Sequence, residues 1–180
     1  MTEKRTGWDK LFDLFRGYRG HPFHPPMTDA SIGAYTVGSL IVLGGWMPFV
    51  PSWLEEKMAW GGFLAIAGGL AFALPTVVTG FVDYIKIPRG TGMRRVANFH
   101  WVVMVIATGS FLVSEALLQR DFDEGRISAT SALATLVAFT LLAAGGYIGG
   151  TIVFEYGMRV QNQPPETPAR EALKPKWPPD

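Results

Sequence analysis

Residues 58–82 read MAWGGFLAIAGGLAFALPTVVTGFV, a run that contains no charged side chain. A helix rises about 1.5 Å per residue and the hydrocarbon core of a bilayer is about 30 Å thick, so this run is long enough to cross a membrane. Pro75 lies within it and predicts a kink, because proline removes one backbone hydrogen bond. The stretch therefore predicts a transmembrane helix and an integral membrane protein.

Three further apolar runs lie at about residues 32–49, 96–118 and 129–154. Thr28 and Asp29 precede the first of them and are residue types that cap helix starts well. Hydrophobic residues make up 48% of the 180 residues and charged residues only 17%, which is typical of membrane proteins. We predict an all-α fold, with a four-helix transmembrane bundle over residues 26–160.

Lysine and arginine are concentrated before the first run, between the second and the third, and after the fourth. Because cytoplasmic loops carry the excess of positive charge, this alternation predicts that both termini face the cytoplasm. The net charge of +1 gives no reason to expect a sustained basic face, so nucleic acid is not an expected partner. The expected partner is the lipid bilayer. The absence of cysteine excludes disulfides, thiolate zinc sites and covalently attached haem.

The two ends of the chain have different patterns. Residues 1–25 include apolar residues at spacings of three and four, which predict an amphipathic helix in the cytoplasmic interface. These residues are Trp8, Leu11, Phe12, Phe15 and Tyr18. Residues 161–180 form a proline-rich segment that we expect to be extended or disordered.

Small residues recur every four positions in two of the runs, which allows helix backbones to approach closely. In the second run they are Gly61, Ala65, Gly69 and Ala73, and in the fourth they are the pairs Gly145 with Gly149 and Gly146 with Gly150. This pattern predicts that the second and fourth helices lie at the centre of the bundle.

The predicted topology gathers five ionisable side chains at the cytoplasmic side. They are His21 and His24 before the first span, Asp83 at the end of the second, His100 one turn inside the third, and Glu155 after the fourth. Ionisable groups at membrane depth are costly, so they usually pair, line a wet cavity or bind a ligand.

Two kinds of site fit this set. In one, His100 and either His24 or His21 are the axial ligands of a b-type haem, and Arg94 or Arg95 binds its propionates. In the other, His21, His24, His100, Asp83 and Glu155 supply the ligands of an iron or zinc ion. A third interpretation has no cofactor, and the histidines and acids then form a structural network with nearby basic residues. The sequence leaves all three open.

Four motifs resemble a known family. The stretch HPFHPPMTDASIGAYTVG from His21, GFVDY from Gly80, NFHW from Asn98 and GGTIVFEYGMRV from Gly149 are similar to a family of four-helix bacterial membrane domains, domain of unknown function 2231. The resemblance covers about residues 20–160. It implies a bacterial inner-membrane location, an architecture similar to small b-type cytochromes, and an association with redox membranes.

Two functional hypotheses follow. The first is a small redox-associated membrane protein that takes part in electron transport through a haem or metal near the cytoplasmic face. The second is an accessory subunit without a cofactor, bound to other membrane subunits of a respiratory or photosynthetic complex. Hydrolase and phosphate-loop motifs are absent from the sequence, so we expect no catalytic activity of its own.

Overall fold

The computed structural model describes Gly7, Phe15, Gly17, Tyr18 and residues 21–160. Most of the predicted interfacial helix and all of the proline-rich segment from residue 161 lie outside these residues. Four long helices dominate, namely α1 (His24–Gly45), α2 (Ser52–Tyr84), α3 (Gly92–Glu124) and α4 (Ala129–Phe154). Two short strands, β1 (Gly17–Tyr18) and β2 (His21–Pro22), pair antiparallel before α1. The all-α prediction is confirmed, apart from this two-residue ladder.

Three of the four helices, α2, α3 and α4, are long and apolar enough to cross a membrane. Helix α1 does not reach the same hydropathy, since its sequence includes several serine and threonine side chains and an acid. These are Thr28, Asp29, Ser31, Thr36 and Ser39. Helices α2, α3 and α4 are therefore candidate membrane spans, and the span that the sequence predicts for α1 remains a prediction.

The start of α1 differs from the prediction. The helix begins at His24 and carries Pro25 and Pro26 in its first turn, where proline is tolerated because those N–H groups have no helical partner. Thr28 consequently lies inside the helix, and its hydroxyl donates to the His24 carbonyl at 2.9 Å. The prediction that Thr28 and Asp29 cap the helix is therefore wrong.

The helices pack as two hairpins. Helix α1 lies along α2 and α3 lies along α4, whereas contacts of α2 with α3 and of α1 with α4 are fewer. The expectation that α2 and α4 form the centre is wrong, because their inward glycines face the hairpin partner. A Cβ at Gly62 would meet Val42 of α1, and one at Gly145 would meet Met104 of α3.

An aromatic pair joins the two hairpins across the diagonal of the bundle. The rings of Tyr35 in α1 and Phe111 in α3 stack with centroids 3.9 Å apart and an interplanar angle of 7°. Both side chains are fully buried in a hydrophobic cluster to which all four helices contribute. The stack therefore fixes the height of α1 relative to α3.

The hairpins are related by an approximate twofold repeat. Tyr35 of α1 and Phe111 of α3 are separated by the same number of residues as the buried Val42 of α1 and the buried Leu118 of α3. Since α1 and α3 follow each other in the same direction in an up-down-up-down bundle, the repeat axis runs along the bundle. The Tyr35–Phe111 stack lies on that axis.

A substitution at Gly69 tests this packing. A Cβ at Gly69 would lie 2.6 Å from Tyr35 Cδ1, and the ring cannot move away because it is stacked on Phe111. We expect Gly69→Ala to lower the free energy of unfolding by about 1–3 kcal/mol through overpacking. Thermal unfolding of the purified protein in detergent measures the change.

Gly68→Ala is the matched control, since nothing lies within 4 Å of the Cβ that it would add. That variant should be neutral or slightly stabilising. Equal thermal stability of the two variants would contradict the packing described here.

Candidate functional site

His24 is the first residue of α1, and its ring rests against α2. Its Nδ1 lies 3.1 Å from the carbonyl oxygen of Thr76 and 3.3 Å from the hydroxyl of Thr79. A Cβ at Gly80 would lie only 2.7 Å from the ring Cε1, so glycine is the residue that makes room for the imidazole. The side chain is thus held by the C-terminal part of α2.

His100 of α3 is held by α4 in a closely similar way. Its Nδ1 lies 2.9 Å from the carbonyl oxygen of Gly145. Its ring rests on Gly149, where a Cβ would lie 2.9 Å from Cε1. Both histidines therefore combine a backbone carbonyl that fixes Nδ1 with a glycine, one helical turn later, that accommodates the ring.

The hydrogen bonds determine which nitrogen carries the proton. A carbonyl oxygen can only accept, so Nδ1 of each neutral ring must be the protonated nitrogen. Within the described residues, Nε2 of His24 and Nε2 of His100 make no hydrogen bond. Metal-bound histidines have the same arrangement, in which one ring nitrogen donates to a carbonyl and the other is the ligand.

The two imidazoles lie at one level of the bundle. The distance along the chain from His24 to Tyr35 is the same as that from His100 to Phe111. This distance makes about three helical turns, a rise of about 16 Å, so each histidine lies on the same helix face as its aromatic residue. Because the aromatic rings stack across the axis, the same register places the two histidines at one level of the bundle.

Threonines and glycines of α2 and α4 contact the two imidazoles. The large buried side chains form two separate clusters, one around the Tyr35–Phe111 stack and one between the start of α3 and the end of α4. The positions next to the imidazoles in α2 and α4 are instead threonines and glycines, namely Thr76, Thr79, Gly80, Gly145 and Gly149. Large apolar side chains of the second cluster, such as Ile148 and Ile152, lie beside these positions in α4.

Asp83, a predicted metal ligand, is buried beside Arg159. Only 4% of the residue is exposed, and its Oδ1 lies 3.4 Å from Nε of Arg159. Arg159 follows α4 with a positive φ of 64°, so the chain turns back to place its guanidinium against α2. The carboxylate also interacts electrostatically with His24. It links the C-terminal ends of α2 and α4.

The other two predicted metal ligands outside the helix interior are both exposed. His21 lies in β2 and is exposed, and Glu155 is exposed after the end of α4. Within the part of the chain that the structure describes, no group of three or more histidines and acids could hold a metal ion. The five predicted metal ligands therefore do not form one cluster.

The two predicted propionate ligands also differ in their surroundings. Arg94 donates from Nη1 to the carbonyls of Tyr84 at 2.7 Å and Ile87 at 3.1 Å, and its guanidinium lies over the Tyr84 ring. It therefore stabilises the loop between α2 and α3. Arg95 is exposed near the start of α3.

The comparison with protein families identifies the chain. The family model described as a predicted membrane protein, DUF2231, matches residues 20–162. The chain belongs to this family. The DUF2231 match includes all four helices and both imidazoles of the site. No curated protein and no solved structure matches the chain, so the expected likeness to small b-type cytochromes has no structural relative to support it.

Sequence reasoning found the histidines of the DUF2231 domain but missed the residues that hold them. Gly80 and Gly149 are separated by the same number of residues as Thr76 and Gly145. His24 and His100 are likewise separated by the same number of residues as Tyr35 and Phe111. These two constant spacings are the signal of the repeat. Few identical residues accompany them, so the repeat is not apparent from residue identity.

Nitrogen-15 NMR of the imidazoles tests this geometry. We expect His24 and His100 to be neutral with the proton on Nδ1, because each Nδ1 must donate to a carbonyl. The exposed His21 serves as the reference within the same sample. Protonation of either ring on Nε2 alone would be inconsistent with the hydrogen bonds described here.

Proposed function

We propose that this chain is a small electron-transfer protein of the membrane that binds a b-type haem between His24 and His100. The observation that carries the proposal is the matched anchoring of the two rings, with each Nδ1 bound to a carbonyl and each Nε2 left without a hydrogen-bond partner among the described residues. Bound haem would supply a carrier of one electron.

Haem fits this donor set better than a free metal ion does. The porphyrin supplies four nitrogens to its iron, so the protein has to provide only two axial ligands. Zinc and iron sites made of protein side chains usually need three or four, and the described residues hold no such group.

The other residues have supporting roles in this proposal. Asp83 and Arg159 close the histidine end of the bundle, and Asp83 lies in the electrostatic environment of His24. Arg94 and Arg95 are the candidates for the propionates, and Arg94 also bonds loop carbonyls. We further propose a bacterial inner membrane location with four spans and both termini cytoplasmic, since the basic residues lie at the histidine end.

A second candidate is the accessory subunit without a cofactor, and one surface favours it. Gly146 and Gly150 lie on the outer side of α4, where no other helix lies within 4 Å of an added Cβ. The neighbouring Tyr147 and Phe154 are 77% and 84% exposed. This surface has the small and aromatic residues with which membrane helices pack, so another membrane subunit could cover it.

An optical spectrum of the detergent-purified protein, expressed with a haem precursor, separates the two candidates. The haem proposal predicts a Soret band that is lost in His24→Ala and in His100→Ala. His21→Ala is the control and should retain the band, because His21 is exposed in β2.

Circular dichroism of each variant verifies that the helices have formed. A colourless wild-type protein, without iron by elemental analysis, would contradict the haem proposal. Co-purification of that colourless protein with larger membrane proteins would favour the accessory subunit.

A further inference from the structure

The connection between α2 and α3 carries a concentration of positive charge. The ten residues from Lys86 to Arg95 include four basic residues and no acid. The other two basic residues are Arg89 and Arg94. Because α2 and α3 are both candidate membrane spans, the loop that connects them lies at one surface of the bilayer. The positive charge is therefore placed at the level of the lipid headgroups.

The loop itself, residues 85–91, is folded into a fixed turn that we call the basic turn. Arg94 holds its first half, since Nη1 donates to the carbonyls of Tyr84 at 2.7 Å and Ile87 at 3.1 Å. The hydroxyl of Thr91 closes the second half by donating to the Pro88 carbonyl at 2.9 Å. The positions of the basic side chains on this turn are thus set by hydrogen bonds within it.

Lys86 and Arg89 are exposed on the basic turn. Among the described residues, neither side chain takes part in a hydrogen bond or an ion pair. The nearest acid along the chain, Asp83, is buried beside Arg159. Three residues of chain span at most about 11 Å, so the two long cationic side chains are within reach of one common anion.

Exposed apolar side chains lead from the basic turn along the outer side of α2. Val77, Phe81 and Ile85 recur every four residues, which places them on one side of the helix. They are 52%, 48% and 39% exposed, respectively. This apolar stripe extends about 12 Å from the basic turn towards the middle of α2. The surface therefore has a cationic end and an apolar face that continues it into the membrane.

The opposite end of the bundle has a different charge. Acids outnumber basic residues around the start of α2, the end of α3 and the loop that follows it. The acids are Glu55, Glu56, Asp121, Asp123 and Glu124, and the basic residues are Lys57, Arg120 and Arg126. An anionic group is therefore favoured at the basic turn and disfavoured at the other end.

A phospholipid with an anionic headgroup matches both parts of this surface. Ammonium and guanidinium groups form strong, charge-assisted hydrogen bonds with phosphate oxygens. Basic clusters next to membrane helices attract anionic headgroups for this reason. An acyl chain of the same molecule covers apolar side chains below the headgroup, whereas free phosphate would leave the apolar stripe without a ligand. The combination favours a lipid.

We propose that the basic turn binds the headgroup of an anionic phospholipid through Lys86 and Arg89, and that an acyl chain of this lipid lies along Val77, Phe81 and Ile85. The site includes neither imidazole and neither of the arginines considered for haem propionates. It therefore does not depend on the haem proposal.

Native mass spectrometry of the purified protein, mixed with equal amounts of dioleoyl phosphatidylglycerol and dioleoyl phosphatidylcholine, tests the site. The two lipids have the same acyl chains and differ in headgroup charge, so preferential retention of phosphatidylglycerol measures headgroup binding. Each basic side chain near a membrane surface contributes about a fivefold preference for anionic lipid. We expect the double substitution Lys86→Gln with Arg89→Gln to lower the wild-type preference by about 25-fold.

The matched control is Lys57→Gln with Arg120→Gln, which removes the same charge from exposed positions at the opposite end. This variant should retain the wild-type preference, and millimolar inorganic phosphate should leave the lipid bound. Equal retention of the two lipids by the wild-type protein, or an equal loss of preference in the control, would overturn the proposal. Release of the lipid by inorganic phosphate would also overturn it, because free phosphate would then be the ligand.

Discussion

The stack of Tyr35 on Phe111 is the contact on which the rest of the structure depends. Each hairpin is a pair of helices that could slide along the other hairpin, because apolar side chains pack without strong directional preference. Two parallel rings with centroids 3.9 Å apart permit little sliding. Glycine at position 69 makes this possible, since a larger residue would occupy the space of the phenol.

The register set by the stack determines what the two ends of the bundle can do. Towards the start of α1 it brings His24 level with His100. Towards the end of α1 it brings Ser39 level with Glu115. The first level pairs two imidazoles whose Nδ1 atoms bond carbonyls. This is the level at which we propose that a haem binds.

The sequence predicted α2 and α4 well because long uncharged runs have one structural outcome in a membrane. It placed α1 too late, since Thr28 and Asp29 have the side chains of caps while Pro25 and Pro26 form the actual first turn. The histidines were found as rare ionisable groups in apolar surroundings. Their anchors were missed because they are backbone carbonyls, whose role no side chain reveals. The five candidate metal ligands do not form one group among the described residues, and the sequence cannot show that Arg159 turns back to Asp83.

The most direct test of this account is a through-space NMR experiment between imidazoles. Only three histidines occur in the chain, so uniform histidine labelling gives an interpretable spectrum of the membrane-embedded protein. The account predicts a dipolar cross peak between the rings of His24 and His100 and none from either ring to His21. A spectrum without the His24–His100 contact, from a sample whose helices are intact, would contradict the shared level on which the account depends.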